Sequence, residues 1–222
     1  MSGSEHAVLF MDFDGTIHVT ASIYAPALQG TVDELAADGV MAPRLLSEAE
    51  VAKWIGAPGL GFWDEALPDA DPGFLKKCYW QVGLKMKEQL RAGTGRLYEG
   101  TADTLTALKE RGVTLCILSN SIREYMDMCR EAYGLDRFYD EYFVISDFPV
   151  KTKAEMLAAV MPRYEGRPMF VTGDRFYDLE AAASNGLPFI ACEYGYAPAG
   201  ELDGARFHIS DIRELTEIPG LS

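Results

Sequence analysis

The sequence predicts an α/β fold, with a parallel-sheet core over residues 1–17 and 99–222 interrupted at 18–98 by an α-helical insert. Three observations carry that prediction. Short apolar runs end in polar or acidic residues, as strands covered on both faces do. Segments of helical periodicity alternate with these runs, which implies βαβ units and a parallel sheet. After the first run comes a long stretch with helical patterns and no convincing buried strand.

The first run, Ala7 to Asp14, is apolar until it reaches Asp12 and Asp14, and Gly15 and Thr16 follow. In the insert, helical patterns cover Tyr24 to Ala37, Glu48 to Ile55 and Phe74 to Arg91. The loop Gly56 to Gly61 separates the last two. Hinges are expected near Ile17 to Thr20 and near Gly93 to Gly100, where the glycines supply backbone freedom. Thr101 to Glu110 then reads as a helix with Leu105 and Leu108 on one face, stopped by Gly112. A strand follows at Val113 to Leu118 and ends at Ser119 and Asn120. Ile122 to Tyr133 is helical and leads to a strand at Tyr142 to Ile145. Thr152 to Met161 is helical until Pro162, and the next strand, Met169 to Thr172, ends at Gly173 and Asp174. A helix at Tyr177 to Asn185 and strands at Pro188 to Cys192 and Arg206 to Ile209 complete the pattern.

Composition narrows the function. Hydrophobic residues at 48% and charged residues at 24% fit a globular chain. A net charge of −14 disfavours nucleic acid and anionic membranes as partners. It also means that a phosphorylated ligand needs a cation placed locally. No run of about 18 apolar residues exists to span a membrane. Glu5 stands where a signal peptide would carry basic residues. The 4 cysteines lie far apart without a C-x-x-C pair. Neither a zinc site nor a disulfide framework is expected, and a reducing cytoplasmic setting is. Nothing in the sequence sets the oligomeric state.

In an open parallel sheet, ligands bind beyond the carboxyl ends of the strands. The residues at those ends therefore belong together: Asp12, Asp14, Gly15 and Thr16; Ser119 and Asn120; Gly173, Asp174 and Asp178. Lys151 and Lys153 open the helix before the fourth strand. This set suits phosphoryl transfer through an aspartyl-phosphate assisted by a hard divalent cation. Asp12 and Asp14 repel each other, and Mg²⁺, which prefers oxygen ligands, would relieve that, with Asp174 as a third ligand. Gly15 and Thr16 can bring backbone N–H groups to phosphoryl oxygens. Ser119 adds a hydroxyl and a lysine adds charge.

Asp12-Phe-Asp-Gly-Thr16 resembles the D-x-D-G-T signature of the haloacid dehalogenase-like hydrolases. Leu118-Ser-Asn120 is similar to their second motif and Gly173-Asp-Arg-Phe-Tyr-Asp178 to their fourth. A lysine 21 or 23 residues before Asp174 falls where the third belongs. The helical insert, G-D-R-x-x-D-x-x-A-A and the late Tyr194-Gly-Tyr196 are similar to the phosphoglycolate phosphatase-like branch. Positions 19 and 20 depart from it, with Val and Thr where that branch often has Asp-Ser.

The resemblance implies a Rossmann-like core with a helical cap domain that closes over the site and sorts substrates, and hydrolysis of a small phosphomonoester with Mg²⁺. Asp12 would be the nucleophile. Asp14 would be the acid and then the base. Asp12, the backbone carbonyl of Asp14, and Asp174 would hold the metal, with Asp178 in support. Ser119, Asn120 and a lysine would bind the phosphoryl group. Lys153 fits a K-x-E-x-[IL] form and is preferred. Lys151 is the runner-up, because the prolines of its alternative form are absent.

Other residues read more plainly. His18 is expected to be a hinge residue rather than a chemical one. Trp54, Trp63 and Trp80 are expected in the core of the insert. Arg44, Arg123 and Arg175 could bind a second anion, with Arg175 the best placed, though a salt-bridge role fits equally. The same core could serve a phosphomutase or a phosphonate hydrolase, for which Lys53 is a weak Schiff-base candidate, or a catalytically degenerate binding module.

Overall fold

The computed structural model describes residues 6–56 and 61–221. Its core carries one six-stranded sheet in the order β3-β2-β1-β4-β5-β6. The strands are β1 (Val8–Met11), β2 (Thr114–Ser119), β3 (Glu141–Val144), β4 (Met169–Gly173), β5 (Phe189–Cys192) and β6 (Phe207–Ile209). Every pairing is parallel. From β1 the chain winds to β2 and β3 on one side and then to β4, β5 and β6 on the other. The order therefore reverses between β1 and β4, and a crevice opens at the carboxyl ends of those two strands. Register there is Met11 opposite both Ile117 and Thr172, so Asp12 emerges between the ends of β2 and β4.

Alternation along β1 sets the direction of its side chains. Val8 and Phe10 pack with Met156, Leu157, Val160, Ala181 and Ala182 in one buried cluster. These partners belong to α7 (Lys153–Val160) and α8 (Phe176–Ser184). Asp12 continues the same face, so it points toward the starts of those two helices. Helices α5 (Thr101–Glu110) and α6 (Arg123–Tyr133) complete the core unit. They bury Leu105 and Leu108, and Met126 and Cys129, respectively.

The chain divides into two compact units, Met1–His18 with Leu97–Ser222, and Val19–Arg96. His18, Leu97 and Tyr98, read from sequence as part of the insert, fall in the core unit. The reason is backbone pairing: His18 bridges to Asp14 and Leu97, and the Tyr98 N–H donates to the Ile17 carbonyl at 3.0 Å.

The second unit comprises α1 (Ala21–Ala37), α2 (Glu48–Trp54), α3 (Gly61–Ala66) and α4 (Pro72–Arg91). No strand occurs among its described residues. Ala27, Leu28, Val32, Phe62, Trp63, Leu75, Cys78 and Val82 form its core. Helix α3 was not foreseen, since six residues are too few for a periodicity to register. Trp63 is a core residue and Trp54 packs against that core, but Trp80 is 45% exposed, which corrects its expected place. Of the loop Gly56 to Gly61, residues 57–60 lie outside those described.

Candidate active site

Three strand ends and two helix starts supply the site. Asp12 follows β1, Ser119 ends β2 and Asp174 follows β4. All three are buried. Lys153 is the first residue of α7, whose start is fixed by a capping box. Thr152 Oγ1 accepts from the Glu155 N–H at 3.1 Å, and the Glu155 carboxylate accepts from the Thr152 N–H at 3.2 Å. Asp178 lies in the first turn of α8, where its Oδ2 accepts from the Arg175 N–H at 3.1 Å.

Lys153 Nζ donates at 2.6 Å to Asp12 Oδ1 and at 2.6 Å to Asp178 Oδ1. Lysine and both acids are buried. Lys151 has an exposed side chain, and its described contact is a backbone N–H to Glu155 at 2.8 Å. The difference between the two lysines is one of helix phase: Lys151 precedes the cap and Lys153 follows it.

Asp174 is held on all sides. Its Oδ1 accepts from Thr16 Oγ1 at 3.2 Å and its Oδ2 from the Tyr196 N–H at 2.7 Å. Gly15 takes a φ of 93°, and a Cβ there would lie 2.2 Å from Asp174 Oδ2. A Cβ on Gly195 would lie 2.2 Å from Asp174 Cβ. Both positions exclude any side chain. Tyr194 adds a hydrogen bond from its hydroxyl to the Thr16 carbonyl at 2.9 Å, tying the loop after β5 to the first motif. One carboxylate oxygen each from Asp12, Asp174 and Asp178 lies within 4.8 Å of the others.

Three buried carboxylates against one buried ammonium leave excess negative charge, and the titration responds. Burial pushes Asp12 up to about 7, aided by Asp178 and Asp14 and opposed by Lys153. Burial, then the charges of Asp12 and Asp178, push Asp174 well above the carboxylate range. Burial alone would lower Lys153, but its two acid partners outweigh that and raise it.

Asp14 has different company. Its Oδ1 accepts from the Tyr125 hydroxyl at 2.7 Å and lies 3.4 Å from His18 Nδ1. Its side chain is 16% exposed. Among the remaining expected residues, Ser119 Oγ accepts from the Ser121 N–H at 3.1 Å, and Asn120 beside it is half-buried. The amides of Gly15 and Thr16 do not stand open as the sequence suggested. They close the turn on itself, to the His18 carbonyl at 3.0 Å and the Phe13 carbonyl at 3.4 Å. Gly15 serves through its conformation and Thr16 through its hydroxyl.

The three candidate anion-binding arginines are paired with acids: Arg44 with Glu50, Arg123 with Asp147, and Arg175 with Glu201 at 2.9 Å. Lys53 is exposed and paired with Glu65. Sequence reasoning missed Tyr125 and Gly195. Tyr125 and Gly195 carried a signal only in the helix phase of α6 and in the Tyr194-Gly-Tyr196 triplet.

Comparison with known proteins gives a consistent picture. The haloacid dehalogenase-like hydrolase family model matches residues 6–186. A phosphoglycolate phosphatase of Haemophilus influenzae is 28% identical over 104 residues, spanning 46% of either chain, so the match covers about half the length of that relative. A 5'-nucleotidase of Pseudomonas aeruginosa is 25% identical over 95% of this chain and 94% of its own. Among solved structures, a predicted phosphoglycolate phosphatase from Haemophilus somnus superposes with a TM-score of 0.80 at 19% identity, over 98% of this chain and 99% of that one.

Proposed function

The chain belongs to the haloacid dehalogenase-like hydrolases, and from that premise we propose that it is a Mg²⁺-dependent phosphatase of small phosphomonoesters, working through an aspartyl-phosphate at Asp12. The observation that carries this reading is the buried Lys153 clamp on Asp12 and Asp178, with Asp174 completing a triad of carboxylates. The donor set fits the metal. Mg²⁺ is a hard cation that takes carboxylate oxygens and keeps several waters, and the triad offers hard donors with excess negative charge. Asp12, Asp174 and the Asp14 carbonyl would hold it, with Asp178 beside them. When bound, it would neutralise charge developing on the phosphoryl oxygens.

The chain's own residues supply the rest. An Asp12 oxygen attacks phosphorus as the bond to the ester oxygen breaks, and Asp14 gives its proton to that oxygen, releasing the alcohol. Asp14, now a carboxylate, takes a proton from water as the water attacks the same phosphorus. Inorganic phosphate leaves and the Asp12 carboxylate returns. Lys153 provides the local cation that a −14 surface lacks, and Ser119 a hydroxyl, both for the phosphoryl oxygens. Relatives named for phosphoglycolate and for 5'-nucleotides support a small phosphorylated metabolite as substrate class. Substrate selection falls to the helical insert, acting as a cap. No helix among the described residues is long and apolar enough to cross a membrane. Four free, buried cysteines support a reducing, cytoplasmic setting. The test is phosphate release with Mg²⁺: Asp14→Asn should abolish it toward alkyl phosphates, and full turnover by that variant would remove Asp14 from the chemistry.

A further inference from the structure

Asp14 sits at one end of a chain of hydrogen-bonding groups that no part of the proposed reaction yet uses. His18 is fully buried and stacks on Phe13, with ring centroids 5.2 Å apart and planes 18° from parallel. Its Nδ1 lies 3.4 Å from Asp14 Oδ1 and 3.4 Å from the Tyr125 hydroxyl. Its Nε2 lies 2.9 Å from the Tyr133 hydroxyl. Tyr125 and Tyr133 stand two turns apart on α6, so one helix face delivers both. The donors can be ordered. The Tyr125 hydroxyl donates to Asp14 Oδ1 at 2.7 Å, and that oxygen accepts equally when the acid proton sits on Oδ2. An Nδ1–H on His18 then faces oxygens that can accept, and Nε2 can accept from Tyr133.

We infer that Tyr125 and His18 are positioning residues for Asp14, fixing the direction of its carboxyl group so that its proton meets the leaving oxygen. The inference rests on the proposed role of Asp14 as general acid. Both contacts fall on the same oxygen, Oδ1, which sets the rotation of the group. Phe13 holds the imidazole from below, so the array is rigid before any substrate arrives.

The leaving group gives the test. An alkyl phosphate needs a proton on its departing oxygen, whereas p-nitrophenyl phosphate expels a stable phenolate and does not. The measurement is kcat/KM, which reports the phosphorylation of Asp12, for both substrates in wild type, Tyr125→Phe, His18→Asn and His18→Leu. Asn keeps an N–H near the Nδ1 position. For Tyr125→Phe and His18→Leu, kcat/KM should fall about 10- to 100-fold on the alkyl phosphate and about threefold or less on p-nitrophenyl phosphate, with His18→Asn near wild type. Equal losses on both substrates, or no loss, would overturn the positioning role while leaving the phosphatase intact. A wild type that hydrolyses neither would instead overturn the function on which it rests. If Tyr125→Phe fails to fold, the two His18 variants carry the same comparison.

Discussion

Asp12 and Asp14 are two residues apart, yet they live in opposite environments. Asp12 is buried against a lysine and two further acids, with charge in excess of what one ammonium can balance. Asp14 is partly exposed and meets a phenol and an imidazole. A carboxylate held in surplus negative charge is an unstable resting state that a cation relieves. Asp14 is directed by contacts that fall on one of its oxygens. One strand end thus carries the proposed nucleophile in a charged cluster beside the proposed acid in a hydrogen-bonded one.

Lys153→Met strikes the charged half hardest. It leaves buried acids without a counterion, so we expect about 3–5 kcal/mol of destabilisation by denaturant unfolding, together with loss of phosphatase activity. A near-neutral result would mean that the cluster is already protonated and the clamp is not ionic. The pH dependence follows from the same cluster. Asp12 rises from 3.8 when unfolded to about 7 when folded. The native state therefore keeps a proton that the unfolded chain has lost. The stability this contributes is complete below pH 3.8 and is lost as pH rises through about 7, on the order of 4 kcal/mol. The Tm of the metal-free protein should fall from pH 5 to pH 8, Mg²⁺ should restore it, and Asp12→Asn should flatten the slope. A Tm that rises over that range would contradict the buried-charge account. Gly195→Ala should cost about 1–3 kcal/mol, because its Cβ meets Asp174, and should weaken Mg²⁺ binding measured by calorimetry. The surroundings of Asp14 give the smallest effect: Tyr133→Phe, one hydrogen bond removed from His18, should cost about 0.5–1.5 kcal/mol in thermal melts.

The charged half was also the more legible in sequence. Asp12, Asp174 and Lys153 each sit at a strand end or helix start, and an apolar run or a cap announces such places. Asp178 reads as support for the metal's waters or for the lysine, and only the fold brings its Oδ1 within 2.6 Å of Lys153 Nζ. The surroundings of Asp14 depended on long-range packing. Tyr125 and His18 are 107 residues apart, and only the seating of α6 beside the first motif joins them. Likewise Gly195 stood in the sequence only as part of the Tyr194-Gly-Tyr196 triplet, and only the fold places Asp174 against it. In the insert α1, α2 and α4 followed from periodicity or, for short α2, from its cap and apolar positions. Six-residue α3 did not, and Trp80 looked like core because a bulky side chain alone does not say which face it occupies.

The central claim is that Asp12 accepts a phosphoryl group. The direct measurement is inorganic phosphate released from a panel of phosphorylated metabolites with Mg²⁺, run in parallel for the wild type and Asp12→Asn. The account predicts turnover of at least one phosphomonoester by the wild type, abolished by a chelator, and none by Asp12→Asn. Robust turnover by Asp12→Asn would contradict it.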